Sequence, residues 1–273
     1  MAQEVLKLSD SELRKLQLEQ LDILVEFDRV CRKHDIKYII DSGTLLGAVR
    51  HKGYIPWDDD ADVRMLRSEY NKFCEVADEL GNDYFFQNHK TDKGYPWLYA
   101  KVRKNGTTAV RIGQERLNMH QGIFIDIFVC DGVPDNRFLK RIRDSVSFVN
   151  RKILYSAVAK DNAPTAAKRA FWKMVHLIHP NIAHGIDHLV GTLFNENNCS
   201  RVGSNGYHHP VEIKGFKKEW LTDLTELEFE GHLFLAPKDY DGCLTFIYGD
   251  YMKLPPLEER TGNAELTHLS FRK

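Results

Sequence analysis

An α+β fold is the architecture this sequence predicts, with one mixed-sheet core carrying a helical subdomain. Three observations lead there. Short apolar runs with strand character alternate with helical periodicity up to residue 131. A purely helical pattern then fills residues 136 to about 196. Hairpin and short-helix patterns close the chain. The chain has 273 residues, 42% of them hydrophobic, enough for a sizeable core. The reading divides it into a core at 1–135, a helical insert at 136–215, and a segment at 216–273 that completes the core.

The elements follow in order. Residues 9–34 read as a helix. Ser9 and Glu12 form a capping box, and Leu13, Leu16, Leu24, Phe27 and Cys31 recur at helical spacing. KYII (37–40) is a short strand, and SGTLLGAVR (42–50) is a turn running into a helix. Gly53 and Pro56 mark a loop, and ADVRML (61–66) is a second strand. Ser68 is expected to cap a helix reaching about Leu80. YFFQ (84–87), WLYAKVRK (97–104) and TTAVRI (107–112) are strands, the last two joined as a hairpin by Asn105-Gly106. GIFIDIFVCD (122–131) is a strand. Pro164 and Pro180 divide the long helical stretch. LEFEGHLFLAP is a hairpin, DYDGCLTFIYGDYM a short helix and loop, and the last residues an extended tail.

Composition excludes several classes. The net charge of −1 offers no global basic field, so no nucleic-acid partner is expected. The five cysteines are scattered, with no C-x-x-C pair, as in a reducing compartment. The polar N-terminus has no secretory apolar region, and no apolar run reaches the ~18 residues of a membrane span. A cytoplasmic protein is expected, with contact at the inner face of the membrane left open.

The chemistry concentrates in DSGTLLGAVRHKGYIPWDDDADVRM (41–65). Asp58, Asp59, Asp60 and Asp62 crowd five positions just before a strand, where aspartate is unfavourable. Residues two apart on a strand share a face, so Asp60 and Asp62 point together. Asp126 stands alone in the apolar strand FIDIF, a costly place for a charge without a partner. If the two strands are neighbours, three carboxylates converge, and a hard cation, Mg²⁺ or Mn²⁺, suits such an oxygen site. Ser42, Gly43 and Thr44 open a helix and form a phosphate seat. Lys101 and Arg103 alternate on one strand and are expected to share the pocket and neutralise a diphosphate. Trp57, with Tyr54 and Trp97, offers a stacking surface for a base or a quaternary ammonium group. Asp58 and Asp59 read equally well as solvated loop.

Other features are read more plainly. His176, His179, His184 and His188 are spaced as zinc ligands can be, but lack an accompanying Glu or cysteine pair, so a polar helix face is preferred. His208-His209 reads as loop. Ser42 lacks the G-x-S-x-G context of a nucleophile. KRAFWKMVHLIH (168–179) is basic and amphipathic. It suits either peripheral membrane contact or a buried helix, and the buried reading is preferred.

The segments DSGTLLGAVRHKGYIPWDDDADVRM, GIFIDIFVCDGVP and YGDYMKLPP, with a histidine near the C-terminus, together resemble the LicD family of bacterial phosphocholine transferases, related to fukutin and fukutin-related protein. The match spans roughly residues 36–131 and 225–270. The resemblance implies a nucleotidyltransferase-like, DNA polymerase beta-type mixed sheet. It implies transfer of phosphocholine from CDP-choline to a hydroxyl of a teichoic acid or lipopolysaccharide glycan, with release of CMP. Asp60 and Asp62 would bind magnesium, and Asp126 would bind a second ion or take the acceptor's proton. Tyr248, Asp250 and His268 lie in the shared C-terminal motif and, with Gln121, are expected to contact substrate. Ser42-Gly43-Thr44 stands where that fold usually has Gly-Ser, and Ala61 where the family commonly has Ile. Two alternatives stand beside this reading: transfer of ribitol phosphate, glycerol phosphate or a nucleotidyl group, and a non-catalytic nucleotide- or glycan-binding module.

Overall fold

The computed structural model describes residues 4–207, 209–262 and 264–272. Its centre is β6 (Phe124–Val133), a ten-residue strand buried along its whole length. β2 (Asp62–Leu66) lies parallel to it on one side, and β1 (Ile39–Ile40) is antiparallel to β2. The other side is shared. β4 (Ala100–Lys104) pairs antiparallel with the first half of β6, and β3 (Tyr84–Gln87) pairs with β4. β7 (Arg201–Ser204) pairs antiparallel with the second half, and β8 (Phe216–Lys217) with β7.

One face of this sheet is apolar. Val63, Met65, Val102, Ile125, Ile127 and Val129 are buried there in the hydrophobic core. It is covered by α1 (Asp10–Lys33) and α3 (Arg67–Val76). α1 begins with the expected capping box: Ser9 Oγ accepts from Glu12 N, and the Glu12 carboxylate accepts from Ser9 N at 2.9 Å. Its apolar stripe, Leu16, Ile23, Leu24, Phe27, Val30 and Cys31, is the buried side. α2 (Ser42–His51) crosses the end of the sheet against β9 (Leu224–Phe229) and α8 (Tyr240–Tyr248); β9 forms the expected hairpin with β10 (His232–Pro237).

The opposite face is polar. It carries Asp62 and Arg64 on β2, Asp126 and Phe128 on β6, and Lys101 and Arg103 on β4. Registers Asp62↔Asp126 and Lys101↔Asp126 place an Asp-Asp-Lys row straight across three strands. The period-two alternation of these strands therefore separates core from site.

Several expectations are corrected. Ser68 is not a cap: the helix starts at Arg67, and the Ser68 hydroxyl donates to Glu196. The Asn105-Gly106 turn forms, with Gly106 at φ 75°, but no hairpin follows. Both edges of β4 are already taken by β3 and β6. The next strand, β5 (Thr108–Arg111), pairs instead with β11 (Leu266–Ser270), so the C-terminal tail ends as a strand. The helical stretch is α4 (Arg137–Asn162), α5 (Ala166–Val175) and α6 (Pro180–Leu193), divided at both prolines. The chain rejoins the main sheet at β7, before residue 215. Finally, α5 is not a buried helix: none of its residues is buried.

The histidines of the insert form no metal cluster among the described residues. His176 meets Lys160 and Ser156, and His179 caps α6. His184 is buried and stacks on His89, ring centroids 4.0 Å apart. Burial, then the charge of His89, pushes its pKa down to about 3. The unfolded chain takes up that proton near pH 6.5 and the folded chain does not. Stability from this site is therefore complete above pH 6.5 and is lost as pH falls from 6.5 towards 3. His184→Phe, which keeps an aromatic stack, is expected to show a smaller fall in Tm between pH 6.5 and 4 than the parent chain. Superimposable Tm–pH profiles would sink this account.

Candidate active site

A pocket of about 430 Å³ opens over the polar face of the sheet. Asp58, Asp60, Asp62 and Asp126 line it, with Ser42 and Gly43 at the start of α2 and Tyr248 at the end of α8. The strand-neighbour condition set by the sequence is met. Asp62 and Asp126 are in register on adjoining parallel strands, and Asp60 lies two residues before Asp62.

The start of α2 is built for close approach. Ser42 sits at φ 48°, a left-handed conformation that costs a side-chain-bearing residue about 1–2 kcal/mol. A Cβ at Gly43 would stand 2.6 Å from Asp58 Oδ2, so a larger residue there would displace the Asp58 carboxylate. Asp41 precedes the helix and caps nothing. Its buried carboxylate pairs with Arg64 at 2.7 Å. Thr44 does not face the pocket. It is buried, and its Oγ1 accepts from Asp62 N at 2.9 Å, which fixes the start of β2.

The acidic run is not solvated loop. Asp58 and Asp59 are each 9% exposed. Two buried amides of α1 hold its backbone: Gln17 donates to the Asp58 carbonyl and Gln20 to that of Asp59, each at 2.9 Å. The Asp59 carboxylate accepts from Ala264 N at 3.0 Å and so anchors the C-terminal segment. Ligand oxygens of Asp58, Asp59 and Asp60 all lie within 4.8 Å of one another.

Burial and mutual repulsion set the titration here. Burial, then Asp59 and Asp126, pushes Asp60 up to about 6, against the pull of Arg111 and Lys101. Burial, then Asp60 and Asp126, holds Asp62 well above the usual carboxylate range. Burial, then Asp60 and Asp59, does the same to Asp58. Neither Asp60 nor Asp62 makes a salt bridge among the described residues, although bases stand close by. Crowded carboxylates partly shielded from water, two of them without a direct ion pair among the described residues, fit a divalent cation as added positive charge.

Lys101 is fully buried and forms an ion pair with Asp126. Burial lowers its pKa to about 7 although Asp126 pulls the other way. Arg103 does not line the pocket. It is buried beside Gln87 Oε1 and donates to the Gly122 carbonyl at 2.6 Å. Arg111 lines the pocket instead, 4.0 Å from Asp126. It comes from β5, where the sequence had suggested only a hairpin strand.

Other expected contacts also separate. Gln121 donates to the carbonyls of Gln114 and Leu117 and holds a loop. His268 is exposed on β11, outside the pocket. Trp57 and Asp250 line a second hollow of about 470 Å³, which joins the first at Gly43, Asp58 and Tyr248. The Arg260 guanidinium lies over the Trp57 ring at 5.2 Å. Tyr54 is buried against Phe229, and Trp97 lines a separate apolar hollow with Phe148 and Tyr155. The three aromatic residues grouped from the sequence therefore do not converge. The rings at the carboxylates are Tyr99, Phe128, Tyr207 and Tyr248.

Sequence reasoning also missed Arg64, Glu212 and His209. Arg64 bridges Asp41 and Glu212, both at 2.7 Å, with all three side chains nearly inaccessible to solvent. His209 caps the short helix α7 (Pro210–Lys214) and lines the pocket; His208 lies outside the described residues. An arginine inside a strand, RML, was the available signal for Arg64. No signal marked Glu212 or His209.

A mixed sheet that aims several carboxylates, a buried lysine and an arginine at one pocket beside a helix N-terminus defines a group-transfer enzyme. Comparison with known proteins carries this further. Residues 35–141 match the family described as LicD/FKTN/FKRP, nucleotidyltransferase domain. The chain is 32% identical, over 91% of its length and 94% of the relative's, to the lipopolysaccharide cholinephosphotransferase LicD of Haemophilus influenzae. It is 38% identical to an uncharacterized protein of Rickettsia prowazekii over 48% of each chain. A 70-residue stretch is 41% identical to an uncharacterized protein of Rickettsia typhi, covering 26% of this chain and 22% of that one. The chain belongs to the LicD family.

Proposed function

We propose that this enzyme transfers phosphocholine from CDP-choline to a hydroxyl of a cell-surface glycan and releases CMP. The observation that carries the reading is the 32% identity to the Haemophilus influenzae lipopolysaccharide cholinephosphotransferase across nearly all of both chains. A glycan of a lipopolysaccharide or teichoic acid precursor is the acceptor class, and a DNA polymerase beta-type core is the fold proposed. The Asp-x-Asp pair beside a third carboxylate on a parallel neighbour supports that core.

The oxygen of the acceptor hydroxyl attacks the phosphorus that bears choline. The bond from that phosphorus to the bridging oxygen breaks, and CMP leaves with the bridging oxygen. Asp126 takes the hydroxyl proton, and the buried Lys101 ammonium holds its carboxylate in place. Ser42 and Gly43 present the start of α2 to phosphate oxygens, and Arg111 offers a guanidinium to the diphosphate. Asp60 and Asp62, with Asp58 beside them, would hold Mg²⁺ or Mn²⁺; a second ion on Asp126 is the alternative to its taking the proton. Such ions would supply charge neutralisation for the diphosphate and for departing CMP. Four aromatic rings among carboxylates also suit a trimethylammonium group.

The test is CMP release from CDP-choline, with and without magnesium, in the parent chain and in Asp62→Ala. Magnesium-dependent release that disappears in Asp62→Ala is the expected result. Release from CDP-ribitol or CDP-glycerol but not from CDP-choline would replace the donor. Donor binding without turnover on any glycan would favour a binding module.

A further inference from the structure

The helical insert has a feature that a group-transfer reaction does not require. Between residues 137 and 193 there are ten lysines and arginines against three acidic residues, a surplus of seven positive charges in a chain whose total is −1. The same helices expose large apolar side chains. On α5 and the turn after it, Phe171, Met174 and Leu177 are 53%, 66% and 84% exposed. On α6, Ile182, Leu189 and Leu193 recur at spacings of seven and four, one helical face, and all are exposed. On α4, Phe138, Ile142 and Val149 repeat the pattern, opposite the buried Arg143, Ser147, Asn150 and Leu154. α4 and α6 pack together, with the Asn150 amide donating to the Ala183 carbonyl.

On α4 and α5 the exposed apolar side chains are flanked by lysine and arginine, the chemistry of a helix lying in the headgroup region of an anionic bilayer; α6 has no lysine or arginine and adds apolar side chains only. A water-facing helix gains nothing from an 84% exposed leucine. A docking surface for an acidic protein would lack the need for such a spread of leucine, phenylalanine and methionine over three helices. We propose that α4, α5 and α6 form an interfacial surface that seats the enzyme on anionic phospholipid. The proposal stands independently of the donor assigned above. It also gives the insert a place relative to the pocket. Arg143 and Arg151 of α4 donate to the carbonyls of Gly203 and Asn205, at 3.0 and 2.7 Å, and that strand leads into the Tyr207–Glu212 wall of the pocket. A helix layer resting on a bilayer would thereby hold the pocket near acceptors presented at the membrane.

The test is co-sedimentation of the full chain with sucrose-loaded vesicles, of phosphatidylcholine alone or with about one-third phosphatidylglycerol. Preferential binding to the phosphatidylglycerol vesicles, weakened by salt, is expected. Phe171→Asp with Leu177→Asp should lower the partition coefficient by about tenfold or more. Lys168→Glu with Lys173→Glu should abolish the preference for phosphatidylglycerol. All four positions are exposed, so the parent Tm and soluble CMP release should persist in both variants. Equal binding to both vesicle types, or unchanged binding by the Asp variant, would overturn the proposal. So would light scattering that shows a dimer, dissociated by the Asp variant, in a chain that binds no vesicles. That result would assign the face to a second copy.

Discussion

Asp62→Asn is expected to lower turnover by about 10³-fold or more while raising the Tm of the metal-free chain. The two effects have one cause. Asp62 lies in register with Asp126 and two residues from Asp60, and its carboxylate is held well above the ordinary range by burial and then by Asp60 and Asp126. A raised carboxylate pKa means that the folded state binds the proton more tightly than the unfolded state. The associated penalty is absent below the ordinary carboxylate pKa and grows as pH rises; for Asp60 that window runs from near 4 to about 6. At neutral pH without a cation, folding confines mutually repelling charges. Removing one should return about 1 kcal/mol, or about 2–4 °C in Tm for a chain of this size. Magnesium should reverse the order, raising the Tm of the parent chain by mass action and leaving Asp62→Asn almost unchanged. Thermal unfolding with and without magnesium, beside CMP release, tests both halves. An Asn variant that turns over normally, or a parent chain indifferent to magnesium and manganese, would remove the metal from the mechanism.

Arg64→Ala is expected to be the most destabilising single substitution near the pocket, by about 3–5 kcal/mol, with Tm falling on the order of 10 °C. The guanidinium is 2% exposed and bridges Asp41, just before α2, to Glu212 on α7. It also lies over the Phe216 ring at 4.0 Å. Glu212 in turn accepts from Ser204 N at 2.7 Å. Truncation strands two buried carboxylates whose desolvation nothing then offsets. It also unties the start of α2, and with it Ser42 and Gly43, from the sheet. Arg64→Lys should recover only part of the loss, because an ammonium cannot present the fork that engages both partners. Combining Arg64→Ala with Glu212→Gln should cost less than the sum of the two, the mark of a shared network. Calorimetric unfolding of the four proteins measures this. An Arg64→Ala chain within a degree of the parent would show that the bridge is not structural.

The carboxylates of this site were legible in the residues alone. Asp126 between Ile125 and Ile127, and Asp60 two positions before Asp62, are violations of strand chemistry. A charge placed where an apolar residue belongs has few explanations other than a site. Local rules were also sufficient for the capping box of α1, the proline breaks of the insert and the β9–β10 hairpin, since each depends on residues a few positions apart. Long-range pairing could not be read in this way. β5 carries good hairpin chemistry behind Asn105-Gly106, yet it joins β11 because β6 and β3 had already occupied both edges of β4. That exchange is what brings Arg111 to Asp126 while Arg103, its expected counterpart, is buried beside Gln87. The pocket wall at Tyr207, His209 and Glu212 comes from a segment without a recognisable motif. These residues acquire a role only because β7 folds back on β6. Periodicity reports which face of a strand is buried. Which strands lie side by side is settled by competition for edges and core across the whole chain, and so the Asp row could be anticipated while its arginine partners could not.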